Sequence, residues 1–200
     1  VEIETEMIAA SAMCWMRFGK QFIMVGREVG YFSADVLGCK DKEIMEVEIK
    51  VSISDLKNEK SNKKHKHGVY AGTENTKYYK SCIPHKFFIA VPVRLQEETI
   101  KFVTELNPNY GVMVLTDTPL EGIPEWESWK RLKIVKRAKN LHDNEVTDGF
   151  KDMFAKRMSS DLCRMHLHRQ MHKDYVRMAI DVSKKMENHQ NIEERQQLRK

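Results

Sequence analysis

Seven consecutive apolar residues, Phe87 to Val93, most narrow the folds open to this chain. The run has the length of a strand and no polar alternation, so both of its faces must be covered; Pro92 stands near its end, where a missing amide is tolerated. A strand covered on both faces sits inside a layered α/β architecture. The chain is long enough to build one: 200 residues with 41% hydrophobic and 32% charged content exclude a disordered chain and a small disulfide-stapled scaffold. No apolar run approaches the roughly 20 residues that a membrane helix needs, so no membrane partner is expected. Cys14, Cys39, Cys82 and Cys163 are widely spaced and form no C-x-x-C pair, which argues against a zinc ribbon or a redox motif. The opening VEIETE is acidic where a secretory leader would be positively charged. The expected location is therefore the cytoplasm.

Around the apolar run the periodicities predict an ordered series of elements. Met7, Ile8, Ala10, Ala12, Cys14, Trp15 and Phe18 give helical spacing over Thr5 to Phe18, closed by Gly19. Gln21 to Val29 and Tyr31 to Leu37 read as two strands joined at Gly30, and Glu43 to Val51 as a third with strict alternation. Ser52 and Asp55 have the S-x-x-D spacing of a helix start. The stretch NEKSNKKHKHG is too polar to pack by itself, and Thr73 to Ser81 has no clear period, so a loop with some helix is expected there. Leu95 to Leu106 carries a helical stripe that Asn107-Pro108 breaks; Tyr110 to Leu115 and Leu132 to Val135 return to strand.

From Asp148 onward Phe150, Phe154, Met158, Leu162, Met165, Tyr175, Met178, Val182 and Met186 recur at mostly helical intervals, with no Gly or Pro after Gly149. Phe150 to Leu162 is expected to pack on the core. The later part mixes apolar residues with bases and histidines, as a surface for a partner would. A second copy of the chain is the simplest partner, with nucleic acid as the competing one.

Charge is segregated along the chain. The net charge of +5 is carried by residues 150–200, with 12 Lys or Arg against 7 Asp or Glu, while residues 1–149 balance at 22 against 22. Two basic stretches stand out in the balanced part: Lys57 to Lys66, with five Lys and one Glu, and Lys130 to Lys139, with six bases and no acid. Such runs suit a polyanion, and they also serve simply to solvate a surface. Candidate phosphate contacts are Lys57, Lys60, Lys63, Lys64, His65, Lys66, His67, Lys133 and Lys136.

The third strand carries the chemistry. Glu46, Glu48 and Lys50 share one face, and Met45, Val47, Ile49 and Val51 share the other. Asp35, placed near the end of the preceding strand, joins them if the two strands pair. Clustered carboxylates repel unless a cation neutralises them, and hard ions such as Mg²⁺ take oxygen donors. A lysine two residues beyond an acid can orient a metal-bound water or stabilise charge on a phosphate. The same alternation also describes a half-exposed strand whose polar face meets solvent. Elsewhere, His168 and His172 stand four apart near Cys163 and His166, yet HRQMH lacks the glutamate of H-E-x-x-H, which leaves them as solvated or partner-facing histidines. Neither a P-loop nor a G-x-S-x-G motif is present.

The phrase YFSADVLG, followed by EVEIKVSISDL over Glu46 to Leu56, lies in a helix, three-strand, helix frame. This order resembles the PD-(D/E)XK nuclease superfamily. With Phe88-Ile-Ala-Val-Pro92, it is more narrowly similar to the MmcB-type DNA repair branch, over about residues 1–116. The resemblance implies a restriction-endonuclease-like core of helix, three-stranded meander, helix and further strands over residues 1–146, with a helical extension over 147–200. It implies Asp35 and Glu48 as metal-binding carboxylates, the main-chain carbonyl of Ile49 as a further ligand, Lys50 as the catalytic lysine and Glu46 as an auxiliary acid. It also implies an acid from the first helix: Glu6, or else Glu2 or Glu4. Ala34 stands where the superfamily's name has proline, a position that supplies no ligand. The implied activity is Mg²⁺- or Mn²⁺-dependent hydrolysis of DNA phosphodiesters. The alternative is a catalytically inactive nucleic-acid-binding or assembly module on the same fold, since members of the superfamily have lost turnover.

Overall fold

The computed structural model describes residues 2–74, 83–117 and 125–197, with side chains followed as far as residue 178. The strands Met24–Gly26 (β1), Val36–Lys40 (β2), Glu43–Ile49 (β3), Lys86–Pro92 (β4), Gly111–Leu115 (β5) and Leu132–Lys136 (β6) form one six-stranded sheet in sequence order. The helices are Glu2–Cys14 (α1), extended by a π-helical turn over Trp15–Gly19, then Ile53–Asn62 (α2), Lys64–Tyr70 (α3), Gln96–Leu106 (α4) and Asp148–Gln197 (α5). Strands β1 to β3 pair antiparallel as a meander, β3, β4 and β5 pair parallel, and β6 returns antiparallel.

The apolar run becomes β4, covered on both faces as its composition requires. Phe88 and Ala90 point into a core with Ile8, Ala12, Trp15 and Met16 of the first helix and with Met45, Val47 and Ile49 of β3. Phe87, Ile89 and Val91 point the other way, under Leu56, Val69 and Val103 of α2, α3 and α4. The two parallel connections thus place their helices together on one face, the outcome of two crossovers of the same hand. Opposite Phe88 on β4, β5 carries Gly111, whose missing side chain leaves room for the ring; a Cβ there would stand 2.3 Å from it.

Three local expectations change in the fold. The strand expected over Gln21 to Val29 shrinks to the three residues of β1. Tyr31 to Asp35 is a turn instead of a strand. Gly30 at φ +87 and Ser33 at φ 49 reverse the chain, and the Ala34 amide closes on the Val29 carbonyl at 3.0 Å. Consequently β2 begins at Val36, and Asp35 stands just before its start, not near its end. Antiparallel register pairs Val36 with Val47, which sets Asp35 across from Glu48. The polar stretch after Ser52 is helical too. Ser52 caps α2 by accepting from the Asp55 amide at 3.1 Å, and α3 follows after Lys63. Glu59, Lys66 and His67 from this stretch are buried, because they meet opposite charges and, for Lys66 and His67, the rings of Phe87 and Tyr70.

The chain divides into two compact units, Val1–Met158 and Ser159–Lys200. In the first, the opening turns of α5 bury Phe150 and Phe154 against Val29, Leu37, Cys39 and Ile44, with Met158 packed at the margin. Leu162 is 68% exposed, so the buried stripe stops at Met158, one step earlier than its spacing suggested. In the second unit Met165, Leu167, Met171, Tyr175 and Met178 are exposed; the side chains of Val182 and Met186 lie outside the described residues, as do residues 75–82. Among the described residues no helix is long and apolar enough to cross a membrane.

Candidate functional site

The polar face of β3 meets helices, not solvent. Glu46, Glu48 and Lys50 project to the side covered by α2 and α3, and all three are buried. Helical spacing brings their partners to them: Glu59 and Lys63 are four apart across the end of α2, and Lys66 and Tyr70 are four apart on α3, so each pair shares a face.

Glu48 is the hub. Its Oε1 lies 3.0 Å from the Lys50 ammonium and also accepts from Lys63, while its Oε2 accepts from Lys66 at 2.8 Å. The other members branch from it. Lys50 also reaches Glu59 Oε2 at 2.9 Å, with Asp55 at 3.7 Å. Lys66 reaches Glu46 Oε1 at 2.6 Å, and its ammonium lies 5.0 Å from the Phe87 ring centre. Glu46 Oε2 accepts from the Tyr70 hydroxyl at 2.6 Å. His67 joins Glu59 and Tyr110, with Nε2 3.1 Å from Glu59 Oε1 and Nδ1 3.0 Å from the Tyr110 hydroxyl. Asp35 stands at the rim and accepts from the Ile49 amide at 2.7 Å.

Burial raises the stakes of every charge here, and the pairings decide which form survives. Burial pushes the Glu48 carboxyl up, but Lys66, Lys50 and Lys63 outweigh it and hold it below the usual range. Glu59 is lowered in the same way, with burial overcome by the His67 hydrogen bond and the lysines. Burial pulls Lys50 down, and Glu48 with Glu59 more than reverses it. Lys66 is likewise raised against burial by Glu46, Glu48 and Glu59. Tyr70 is raised well above its ordinary value by burial and by Glu46, so it stays a phenol that donates. Asp35 differs: burial and the charge of Glu48 raise it, and among the described residues no ammonium stands within ion-pair distance. The lysines supply most of the neutralisation for which the sequence implied a metal ion; at Asp35 burial and Glu48 outweigh the Ile49 amide and the more distant Lys50 and Lys63.

Of the residues singled out from sequence, Asp35, Glu46, Glu48 and Lys50 come together with Lys63, Lys66 and His67. Ile49 turns its side chain into the opposite core, and its amide holds Asp35. Lys66 and His67 face inward and offer no surface for phosphate, whereas Lys57, Lys60, Lys64 and His65 are exposed. Glu6 is exposed and paired with Arg27 at 2.5 Å. The first-helix acid that is linked to the end of β3 is Glu4: Arg94 binds its carboxylate and donates to the Val51 carbonyl at 2.9 Å. Lys133 and Lys136 belong to β6, with β4 and β5 between them and β3. Cys163, His166, His168 and His172 are exposed on α5. Among the described residues no group of three or more His, Cys, Asp or Glu is placed to hold a metal ion. Glu59, Tyr70 and Tyr110 are members of the network that sequence reasoning missed. The signal for them was the polar triplet on β3, which demanded a countercharged helix, followed directly by a basic stretch with four-residue spacings.

No protein-family model matches the chain, and no curated protein matches it. Among solved structures, the SPO1766 protein of unknown function from Silicibacter pomeroyi is similar, with a TM-score of 0.52 and 15% identity over 82% of this chain and 91% of that one. At this identity the likeness shows a shared fold alone.

Proposed function

We propose that this chain is a metal-dependent DNA-processing protein that hydrolyses phosphodiester bonds at the edge formed by Asp35, Glu48 and Lys50. One observation carries the proposal: Asp35, set across from Glu48 by the β2–β3 register, is held at the rim with its carboxyl raised by burial and by Glu48. Two oxygen donors that repel each other there fit a hard divalent cation. The resemblance to the PD-(D/E)XK superfamily, and within it to the MmcB-type branch, supports the same assignment.

Asp35 and Glu48 would hold Mg²⁺ or Mn²⁺, with the Ile49 carbonyl as the further donor implied by the resemblance. The ion would supply Lewis acidity and a more acidic water. The chain's own residues do the rest. Lys50 is fixed between Glu48 and Glu59 and held in its charged form, so it stabilises negative charge on the phosphate and does not act as a base. Exposed Lys57, Lys60 and Lys64 lie on the same helical pair and hold the backbone.

The test is cleavage of supercoiled, linear and single-stranded DNA with Mg²⁺ or Mn²⁺. Asp35→Asn keeps an oxygen for the Ile49 amide while removing the charge, so it should lower cleavage by about 10²-fold or more with an unchanged circular dichroism spectrum. Equal cleavage by both proteins would sink the assignment.

A second reading, a nucleic-acid-binding module without turnover, is favoured by one observation. Glu48 already has three ammoniums around it, so its charge is matched without an ion. Salt-sensitive DNA binding with no cleavage under either metal would select this reading.

A further inference from the structure

The turn that leads into Asp35 carries two aromatic residues at its tip. An isolated bridge between Val29 and Ala34 closes it, and Gly30 at φ +87 with Ser33 at φ 49 bends the chain so that Tyr31 and Phe32 stand between them. Ser33 holds a conformation that residues with side chains rarely adopt, so the surroundings fix this turn, not its own preference. Phe32 supplies the anchor. It packs on the cluster beneath α2, α3 and α4, with its ring 5.7 Å from that of Tyr70 and 6.0 Å from that of His65. Tyr31 stays 61% exposed, and its ring meets Phe32 edge to face with 5.0 Å between centres. The neighbouring helix surface is basic: Lys64 precedes His65 at the start of α3, Lys57 and Lys60 lie on α2, and all three lysines are exposed. His65 is itself tied to Glu74 at 3.1 Å, which leaves phosphate to the lysines.

We infer that Tyr31 is a stacking platform for an unpaired base, so that the DNA this chain takes is a single strand or the single-stranded end of a duplex. The inference rests on the DNA-processing reading and names its substrate class. In a closed duplex the faces of each base are covered by the bases above and below, and an exposed ring on the protein finds nothing to stack on. A single strand offers a π-face at every nucleotide, and cationic side chains beside the ring follow its phosphates. Tyr31 and the exposed lysines supply these two parts side by side. Because Asp35 directly follows the turn, a base held on Tyr31 brings the adjoining phosphates to the edge formed by Asp35, Glu48 and Lys50. Phe18, 56% exposed, ends the helix that covers the opposite face of the sheet and so provides a control ring.

The experiment measures binding of the full chain by fluorescence anisotropy, with EDTA present so that no metal or cleavage enters. Three labelled probes are compared at one salt concentration: an oligo-dT strand, a strand of the same length whose central nucleotides are abasic, and a blunt duplex. Wild type should bind oligo-dT about tenfold more tightly than either of the others, as loss of one stacked base implies. Tyr31→Ala should bind all three alike, at the wild-type affinity for the abasic strand, whereas Tyr31→Trp and Phe18→Ala should keep the preference. Each variant is checked for a normal melt. A preference unchanged in Tyr31→Ala, equal binding of the abasic and base-bearing strands by wild type, a preference for duplex, or no binding to any probe would each overturn the platform. Cleavage assays with Mg²⁺ or Mn²⁺ separate the two ideas. Tyr31-dependent binding without cleavage would remove the hydrolase reading and leave the platform, and cleavage with no Tyr31-dependent preference would do the reverse.

Discussion

The two basic runs of this chain look alike as sequence, but only the first sends lysines into buried ion pairs. Lys57 to Lys66 follows β3 directly through α2 and α3, and so meets the carboxylates on the polar face of that strand; it delivers Lys63 and Lys66 to Glu48. Lys130 to Lys139 runs along β6 at the far edge of the sheet, where Lys133 is exposed and Lys136 donates to the main-chain carbonyls of Pro108 and Tyr110. The difference teaches that a run of lysines declares its role through what its neighbouring strand presents. Buried countercharge turns Lys66 inward, while Lys57, Lys60 and Lys64 of the same run, and Lys130 with its surface partner Glu127, stay exposed.

The sharpest way to break this contrast is to make one substitution in both runs. Lys66→Met strips an ammonium from two buried carboxylates and should destabilise the fold by about 3–5 kcal/mol, the scale of an uncompensated buried charge. Lys136→Met, which loses hydrogen bonds to carbonyls, should cost about 1 kcal/mol, and exposed Lys133→Met less than about 0.5 kcal/mol. Urea denaturation midpoints measure all three, and equal losses would erase the distinction.

A smaller effect should appear on titration. Glu48 and Glu59 are held below their ordinary 4.5 in the folded chain, so their contribution is full above about pH 4.5 and drains away as the pH falls through the lowered values. Asp35, raised above its ordinary 3.8, opposes this by recovering stability as it protonates. Lys50 and Lys66, raised above 10.5, lose their contribution only in strong alkali. Stability should therefore fall between about pH 5 and about pH 3 in wild type, and less steeply in Glu59→Gln. Identical acid profiles would show that the network is not what titrates.

The smallest expected effect concerns DNA. Replacing Lys57, Lys60 and Lys64 together by Ser should weaken binding to all sequences alike and flatten the salt dependence by up to about one unit per lost contact. Replacing Lys130, Lys133 and Lys139 should leave the slope unchanged. The reverse pattern would move the nucleic-acid surface to β6.

Much of the fold was legible because periodicity reports which faces are covered. The run at Phe87 announced a doubly covered strand, the alternation over Glu43 to Val51 announced β3, and Ser52 announced the cap of α2. These are local signals, set by backbone geometry within a few residues. The shared face of Glu46, Glu48 and Lys50 was equally local. What the chain alone left open was the surroundings of that face. Whether its polar side met water, a metal or a helix depended on the crossover that lays α2 and α3 over the sheet, and hence on Glu59, Lys66, His67 and Tyr110 arriving from 11 to 62 positions beyond Glu48. By the same token a stretch too polar to pack on oil packs readily on buried charge. Burial of Glu59, Lys66 and His67 within NEKSNKKHKHG was thus decided by tertiary structure, because the energy of an ion pair depends on a partner and a dielectric that no local window contains.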